Sequence, residues 1–490
     1  MNHRNVIFIF TDQQRFDTLK VNGSRSAQAP NLDALSQQSV VFREAYAAQP
    51  VCTPSRATIL TGLYPHSHGL VKNNQILRQD VRCIAEHLDG YRSAYMGKWH
   101  LGNETSRQHG FDEWVSIEDY YYRKIRDNVS EPEINCAYHD FLVKQGFVPD
   151  GEDGEYRFFT RDFGTRIPAE YSKPAFLARE ADRFLGENRD RPFALYINFL
   201  EPHPPYRSVN DDLYNPDDID LPPNFDFEFD DQTPIKYRFK AHYAKNRGRH
   251  FPLTDEKAWR KQIARYRGCV TLIDTYVGEV LKSLARHGLE DNTLVVFTSD
   301  HGDMMGDMGL LGKGVMFQPS VRVPLLFRTP WLSLQQRLID GPVNLVDLVP
   351  TILEALDQPL PDAIQGKSLY PVLCGEQPFD GDDVFIQYHE DPRDLYRKQK
   401  YEGLLTPELK EPLERLYAEP VEERSVVTRD RWRLTLTQTG EHELYNLNED
   451  PLERVNLYGS RENAAVVKEL RAKIKAWQAR YGDDAAFEQE

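Results

Sequence analysis

Three unbroken apolar runs stand out along the chain. They are Asn5-Val6-Ile7-Phe8-Ile9-Phe10-Thr11, Phe193 to Leu200, and Thr293-Leu294-Val295-Val296-Phe297-Thr298. Continuous runs, rather than alternating ones, are the pattern of strands in a parallel sheet covered on both faces. Each run ends in polar residues: Asp12 after the first, Glu201-Pro202-His203 after the second, Ser299-Asp300-His301-Gly302 after the third. Helical patterns lie between them. Pro30 to Gln38 reads as a short helix, followed by a Val40-Val41-Phe42 strand. Thr53-Pro54-Ser55-Arg56 opens a helix that stops at Gly62, with proline in the first turn and glycine past the end. Pro174 to Asn188 has helical periodicity, and a longer helix runs from about Ile263 to Arg286. On the latter, Tyr266, Val270, Ile273, Val277, Leu281 and Leu284 share one face and Gly288 ends it.

Strands alternating with helices predict a doubly wound α/β domain with a mostly parallel sheet. Ligands in such domains sit beyond the carboxyl ends of the strands. Asp12, His203, Asp300 and His301 all fall at that edge, so three strands should deliver polar, metal-capable side chains to one rim. Asn103 to Lys173 and Tyr206 to Arg260 are rich in Tyr, Asp, Pro and Arg with weak periodicity. They read as insertions over the rim, where substrate choice often lies. Past about Tyr370 the pattern changes to short strands, Val384 to Tyr388 and Arg431 to Leu436, and a terminal amphipathic helix carrying Val467, Leu470, Ile474, Trp477 and Tyr481. The expected division is a catalytic domain over 1–370 and a small α+β subdomain over 371–490. No internal repeat or low-complexity tract appears.

Composition narrows the function. The 490 residues are ample for a large core, and 76 acidic against 60 basic side chains give a formal net charge of -16. That argues against a general nucleic-acid binder, which needs a basic face, but leaves room for an anionic small substrate held by a few local cations. The apolar run Val6 to Phe10 is too short for a signal segment or a membrane span, and no later segment qualifies, so a cytoplasmic protein with no membrane partner is expected. Five widely spaced cysteines, Cys52, Cys83, Cys136, Cys269 and Cys374, include no CxxC pair and predict neither a thiolate zinc site nor a disulfide framework. All but Cys52 read as small buried apolar side chains.

Cys52 opens the run Cys52-Thr53-Pro54-Ser55-Arg56-Ala57-Thr58-Ile59-Leu60-Thr61-Gly62. It resembles the signature of the type I, formylglycine-dependent sulfatases of the alkaline phosphatase superfamily, in which the cysteine of C-x-P-S-R is oxidised to formylglycine by a maturation enzyme. The resemblance continues in order through Thr11-Asp12-Gln13, Gly97-Lys98-Trp99-His100-Leu101-Gly102, Glu201-Pro202-His203-Pro204-Pro205, Ser299-Asp300-His301-Gly302 and Gly312-Lys313-Gly314. It ends at Leu444-Tyr445-Asn446-Leu447, Asp450-Pro451 and Asn456-Leu457. It implies an alkaline-phosphatase-like fold and hydrolysis of sulfate monoesters. Hydrated formylglycine has two hydroxyls on one carbon. One, made acidic by a metal ion, attacks sulfur; the other then loses its proton and expels sulfate.

By the same resemblance, Asp12, Gln13, Asp300, His301 and the modified Cys52 ligate the metal. Gln13 stands where many members have a second aspartate, and His301 where asparagine is common. Oxygen ligands favour Ca²⁺ or Mg²⁺, and the imidazole admits Mn²⁺; Ca²⁺ is the expected ion. Arg56 should hold the formylglycine hydrate. Lys98 and Lys313 should clamp sulfate oxygens and the charge that develops on the bridging oxygen. His100 is the expected base for the second hydroxyl and His203 the acid for the leaving alcohol. Asn73 is a candidate substrate contact. His66, His68 and His87 read as structural.

Phosphonate monoester and phosphodiester hydrolases of the same superfamily are the competing reading, favoured by Gln13 and His301. They generally carry hydroxyl-bearing residues where this chain has Lys98 and His100, which suit a sulfate ester. A chain whose Cys52 stayed unmodified would only bind sulfated ligands, but every expected catalytic position is filled. The alcohol is not specified by these motifs; carbohydrate sulfates are the leading expectation, and Tyr120-Tyr121-Tyr122 a possible sugar platform.

Overall fold

β1 (Asn5–Asp12) is buried along its whole length. The computed structural model describes residues 3–24, 28–118, 135–153, 156–230, 233–246, 252–376, 379, 381–392 and 405–487; Tyr120-Tyr121-Tyr122 lie outside them. β1 sits inside an eight-stranded sheet with β2 (Val40–Phe42), β3 (Arg92–Gly97), β4 (Glu113–Ser116), β5 (Phe193–Pro202), β6 (Thr293–Ser299), β7 (Leu325–Arg328) and β8 (Arg337–Ile339). The order across the sheet is β8-β2-β7-β6-β1-β5-β3-β4. β1 pairs in parallel with β5 on one side and β6 on the other, while β7 runs antiparallel to both its neighbours. Thr11 lies level with Phe199 of β5 and Ser299 of β6, so the three expected strands end together.

Alternation along β1 divides the core in two. Val6, Phe8 and Phe10 pack in one apolar layer with Ala57, Ile59 and Leu60. Ile7 and Ile9 face the other layer, with Phe184, Leu185, Ile273 and Val277. Burying each large apolar side chain contributes roughly 1.5–3 kcal/mol, so a strand buried on both faces anchors the sheet. The helices of these layers include α1 (Pro30–Ser36), α2 (Cys52–Thr61), α3 (Lys173–Asn188), α5 (Glu256–Arg286) and α6 (Leu348–Ala355), while α4 (Ile235–Asn246) lies apart, with Ile235 and Phe239 packed among Leu413, Tyr417 and Val421. α5 starts well before the expected Ile263, because the Asp255 side chain caps it by accepting from the Ala258 N–H at 2.8 Å. α2 stops where Gly62 turns left-handed at φ 68°.

The segment after residue 370 does not break cleanly. Leu369, Val372 and Leu373 still belong to the first apolar layer. Beyond them β9 (Val384–Glu390), β10 (Val421–Val427), β11 (Trp432–Thr437) and β12 (Glu443–Asn446) form an antiparallel sheet in sequential order. The terminal helix, Ala464–Tyr481, lays Val467, Leu470 and Ile474 on Val426, Leu434 and Leu444. The other side of this sheet is not separate: Val384, Ile386 and Tyr388 share a cluster with Met304, Met316 and Phe317. Among the described residues no helix is long and apolar enough to cross a membrane.

Candidate active site

The sheet rim and the start of α2 face each other, and the chemistry collects between them. Cys52 and Arg56 are one turn apart on α2, so their side chains share a face. The Asn73 side chain accepts from the Thr53 N–H at 3.1 Å and so caps the helix that carries Cys52. Asn73 thus touches the backbone beside Cys52.

Asp12, Cys52, Asp300 and His301 are fully buried, and their ligand atoms all lie within 4.8 Å of one another. The Cys52 sulfur lies 3.6 Å from Asp12 Oδ1, 3.5 Å from His301 Nε2 and 3.7 Å from Lys98 Nζ, and accepts from Lys313 Nζ at 2.7 Å. Burial and Asp12 push the thiol up, but Lys313, Lys98 and the His301 contact prevail and bring its pKa down to about 7. Burial likewise penalises the Asp12 carboxylate, yet Lys98, His203, Lys313 and Arg56 hold it well below the usual range. Asp12 is therefore an anion, as a metal ligand must be. His301 Nδ1 donates to the Gly302 carbonyl at 3.0 Å, which leaves the Nε2 lone pair facing the cluster. Gln13 follows Asp12 with φ 74°, and its side-chain Oε1 is buried without a hydrogen-bond partner.

Arg56 is wholly buried, and its contacts run to the carboxylates: Asp12 Oδ2 at 2.9 Å and Asp300 Oδ2 at 3.0 Å. Its remaining bonds reach the Asn198 side chain and the Lys98 carbonyl, each at 2.7 Å. Arg56 thus braces the two metal-capable aspartates, one helical turn from Cys52. A guanidinium suits this position because its planar fork serves several acceptors at once.

Lys98 and His100 come from the turn after β3. Gly97 makes the turn possible: at φ 124°, a Cβ there would meet the Asn198 carbonyl oxygen at 2.0 Å. Lys98 Nζ donates to Asp12 Oδ2. Buried Glu104 accepts from the Trp99 and His100 N–H groups at 2.8 and 2.6 Å, fixing the turn. His100 Nε2 donates to Asn74 Oδ1 at 3.1 Å. Burial, then Lys98 and Arg56, hold His100 well below its ordinary pKa, so it is neutral and able to accept a proton.

A cavity of about 850 Å³ opens above this cluster, with Asn73, His100, His203 and Lys313 in its lining. Arg161 reaches in from the first insertion, 3.2 Å from His203 Nδ1, and is itself held by buried Glu118 at 2.8 Å. Arg161 and Lys173 bring the Glu118 carboxyl down to about 2 despite its burial. His389, Glu390 and Asp391 of the C-terminal sheet line the same cavity, and Asp391 pairs with Lys72 at 3.4 Å. Sequence reasoning did not single out Glu104, Asn74, Glu118 or Arg161. They lie outside the motifs or in the weakly periodic insertion, and only tertiary contact gives them a role. His68, read as structural, accepts from the Leu70 N–H at 3.1 Å and lies 3.2 Å from the Thr58 hydroxyl.

Comparison with known proteins agrees with this geometry. Residues 4–358 match the family model described as "Sulfatase", and residues 306–411 match "N-sulphoglucosamine sulphohydrolase, C-terminal". An "Ulvan-active sulfatase" of Formosa agariphila is 28% identical over 98% of this chain and 82% of its own length. A solved structure of a protein "in complex with its substrate D-Glucosamine-2-N, 6-O-disulfate" superposes with a TM-score of 0.78 at 23% identity, covering 100% of both chains. The phosphonate monoester hydrolase of Agrobacterium radiobacter superposes with a TM-score of 0.74 at 24% identity, over 98% of this chain and 96% of its own. Both share the fold, an alkaline-phosphatase-like α/β sheet with a separate C-terminal sheet. With most of its length matched by the family model, the chain belongs to the sulfatase family and is a sulfuric ester hydrolase.

Proposed function

We propose that this enzyme hydrolyses carbohydrate sulfate esters, using formylglycine made from Cys52 by a maturation enzyme and one divalent ion. The observation that carries the reading is the convergence of Asp12, Asp300 and His301 on the Cys52 sulfur, with Lys98 and Lys313 beside it. The sulfur atom stands where the oxygens of the hydrated aldehyde belong. The donor set fits a metal: two carboxylates, the His301 imidazole Nε2, which here accepts from Lys313 Nζ at 3.0 Å, and the orphaned Gln13 Oε1. Ca²⁺ is the favoured ion, with Mn²⁺ or Mg²⁺ as alternatives. When bound, such an ion supplies the positive charge that makes a nearby hydroxyl acidic.

The chain's own residues do the rest. Lys98 and Lys313 neutralise sulfate oxygens and the charge that grows on the bridging oxygen. His203 delivers a proton to the departing sugar oxygen, and His100 removes one from the nucleophile in the second half-reaction. Residues 1–370 form the catalytic unit, and 371–490 a subdomain that completes the cavity wall through His389, Glu390 and Asp391. The polar lining, with Lys72 paired to Asp391 and Arg161 to Glu118, suits a hydroxyl-rich sugar better than a flat apolar aryl group. A panel of singly sulfated monosaccharides and oligosaccharides beside simple aryl sulfates tests the substrate class. At least one sugar sulfate should exceed every aryl sulfate in kcat/KM; uniformly better aryl sulfates would refute it.

His203 gives a further expected result. Burial, Lys98, Lys313 and Arg161 hold it well below its ordinary pKa against the pull of Asp12. Its proton is lost early as pH rises, so turnover of poor leaving groups should decline from acid towards neutral pH. His203→Ala should slow sugar sulfates roughly 10²-fold or more, the usual worth of a general acid. It should slow 4-nitrophenyl sulfate far less, because that leaving group departs without a proton. Equal losses on both substrates would remove His203 from the acid role.

A further inference from the structure

We propose that Asp303 is a positioning residue for the metal, which with Tyr206 turns the Gln13 amide so that Oε1 faces the ion. This rests on the metal site proposed above. Asp303 is fully buried, and all of its acceptor capacity is engaged. One carboxylate oxygen accepts from the Met305 and Gly312 N–H groups at 2.8 and 2.9 Å. The other accepts from the Tyr206 hydroxyl at 2.7 Å and from Gln13 Nε2. The Tyr206 oxygen in turn accepts from Gln13 Nε2 at 3.1 Å. Both hydrogens of the Gln13 amide nitrogen are thereby used, while Oε1 is buried with no partner.

That asymmetry has a chemical meaning. A buried carbonyl left without a partner is destabilising, and a simple flip would not relieve it. Flipping would set Oε1 against the Asp303 carboxylate, acceptor against acceptor, and strand the NH₂ group instead. The backbone is held as well: the Gln13 N–H donates to Asp300 Oδ1 at 3.0 Å, and its carbonyl accepts from Tyr266 at 2.8 Å. The side chain is thus pinned by its nitrogen, beside Asp12 and Asp300, with an oxygen that lacks only a cation. The arrangement also keeps the Asp303 charge one residue removed from the ion, so the ion meets a neutral carbonyl where a further carboxylate would bind it more tightly.

The test uses purified full-length protein, stripped of metal and titrated with Mn²⁺ and with Ca²⁺. Wild type should take up one ion per chain. Asp303→Asn keeps an oxygen for Met305 and Gly312 but presents an NH₂ group to Gln13, which should turn the amide around. Affinity should then fall roughly 10- to 100-fold, the usual effect of losing a partner that orients a metal ligand. The double variant Gln13→Glu with Asp303→Asn should recover much of that loss, because the new amide can hold one glutamate oxygen and leave the other for the ion. A purely structural role for Asp303 predicts that Gln13→Glu raises affinity by the same factor with and without Asp303→Asn, whereas the positioning role predicts a larger gain in the presence of Asp303→Asn. Wild type that binds one ion while Asp303→Asn binds it equally tightly overturns the positioning role alone. Wild type that binds no ion overturns the metal reading, and this proposal with it. A crystal structure of Mn²⁺-loaded wild type decides the point without any variant: Oε1 should coordinate the ion, and an Oε1 outside its coordination sphere contradicts the proposal.

Discussion

Cys52→Ala should leave no measurable turnover of any sulfate ester, a loss on the order of 10⁴-fold or more, as when other enzymes lose their nucleophile. The position allows no substitute. Cys52 stands at the start of α2, where the helix dipole favours an anion. Its sulfur is contacted by Lys313, Lys98, His301 and Asp12. The rest of the cluster does not depend on that sulfur, since Arg56 links Asp12 and Asp300 directly. The variant should therefore fold normally and still bind sulfated ligands. In active wild-type protein, mass spectrometry of the Cys52 peptide should show sulfur replaced by aldehyde oxygen. A fully active sample containing only the free thiol would exclude the proposed nucleophile.

Asp300→Ala is expected to be nearly as damaging, for two separable reasons. Asp300 offers the cluster a carboxylate, and it accepts the Gln13 and His301 N–H groups at 3.0 and 2.9 Å. It is also one of the two anions that compensate buried Arg56. Removing one partner of a buried ion pair typically costs about 3–5 kcal/mol, so the melting temperature should drop along with activity. Asp300→Asn is milder for the fold: its oxygen can still accept the backbone N–H groups, while the anionic ligand and one counter-charge to Arg56 are lost. Activity should fall on the order of 10²-fold or more in both variants, and chelation of wild type should do the same until Ca²⁺ or Mn²⁺ is restored. Gln13→Ala, which removes only a neutral ligand, should lose far less. A Gln13 variant more impaired than Asp300→Asn would reverse the proposed division of work.

The parts of the fold that the sequence made legible are those whose burial is uniform. β1, β5 and β6 are buried on both faces and so read as unbroken apolar runs. β3 was not legible, because Arg92, Ser93 and the closing Gly97 hide an inner strand, next to the sheet edge, whose glycine serves a close approach. β10 was hidden differently: its buried Glu423 and Arg424 are paired with Lys236 and Asp483, partners far away in the chain. The site divides along the same line. Residues that perform chemistry sit in short motifs and could be read there. Those that hold them in place, such as Glu104, Glu118, Arg161 and Asp303, act through tertiary contacts that no local spacing announces. Arg56 shows the limit of a motif, since its place beside Cys52 was legible but its engagement with two carboxylates was not.

The site suits sulfate monoesters better than the phosphonate monoesters of its structural neighbour. Both anions present tetrahedral oxygens, so nucleophile and ion alone would serve either. Lys98 and Lys313 lie against the nucleophile, with neutral His100 on the same turn as Lys98. They match an ester that carries one negative charge and develops the rest on its leaving oxygen. The most direct measurement is kcat/KM for a sulfate monoester, a phosphonate monoester and a phosphodiester with the same leaving group, on metal-loaded enzyme with Cys52 fully converted. The sulfate should be preferred, and Lys98→Ala should reduce its turnover much more than that of either phosphorus ester. A clear preference for the phosphonate or the diester would contradict the account.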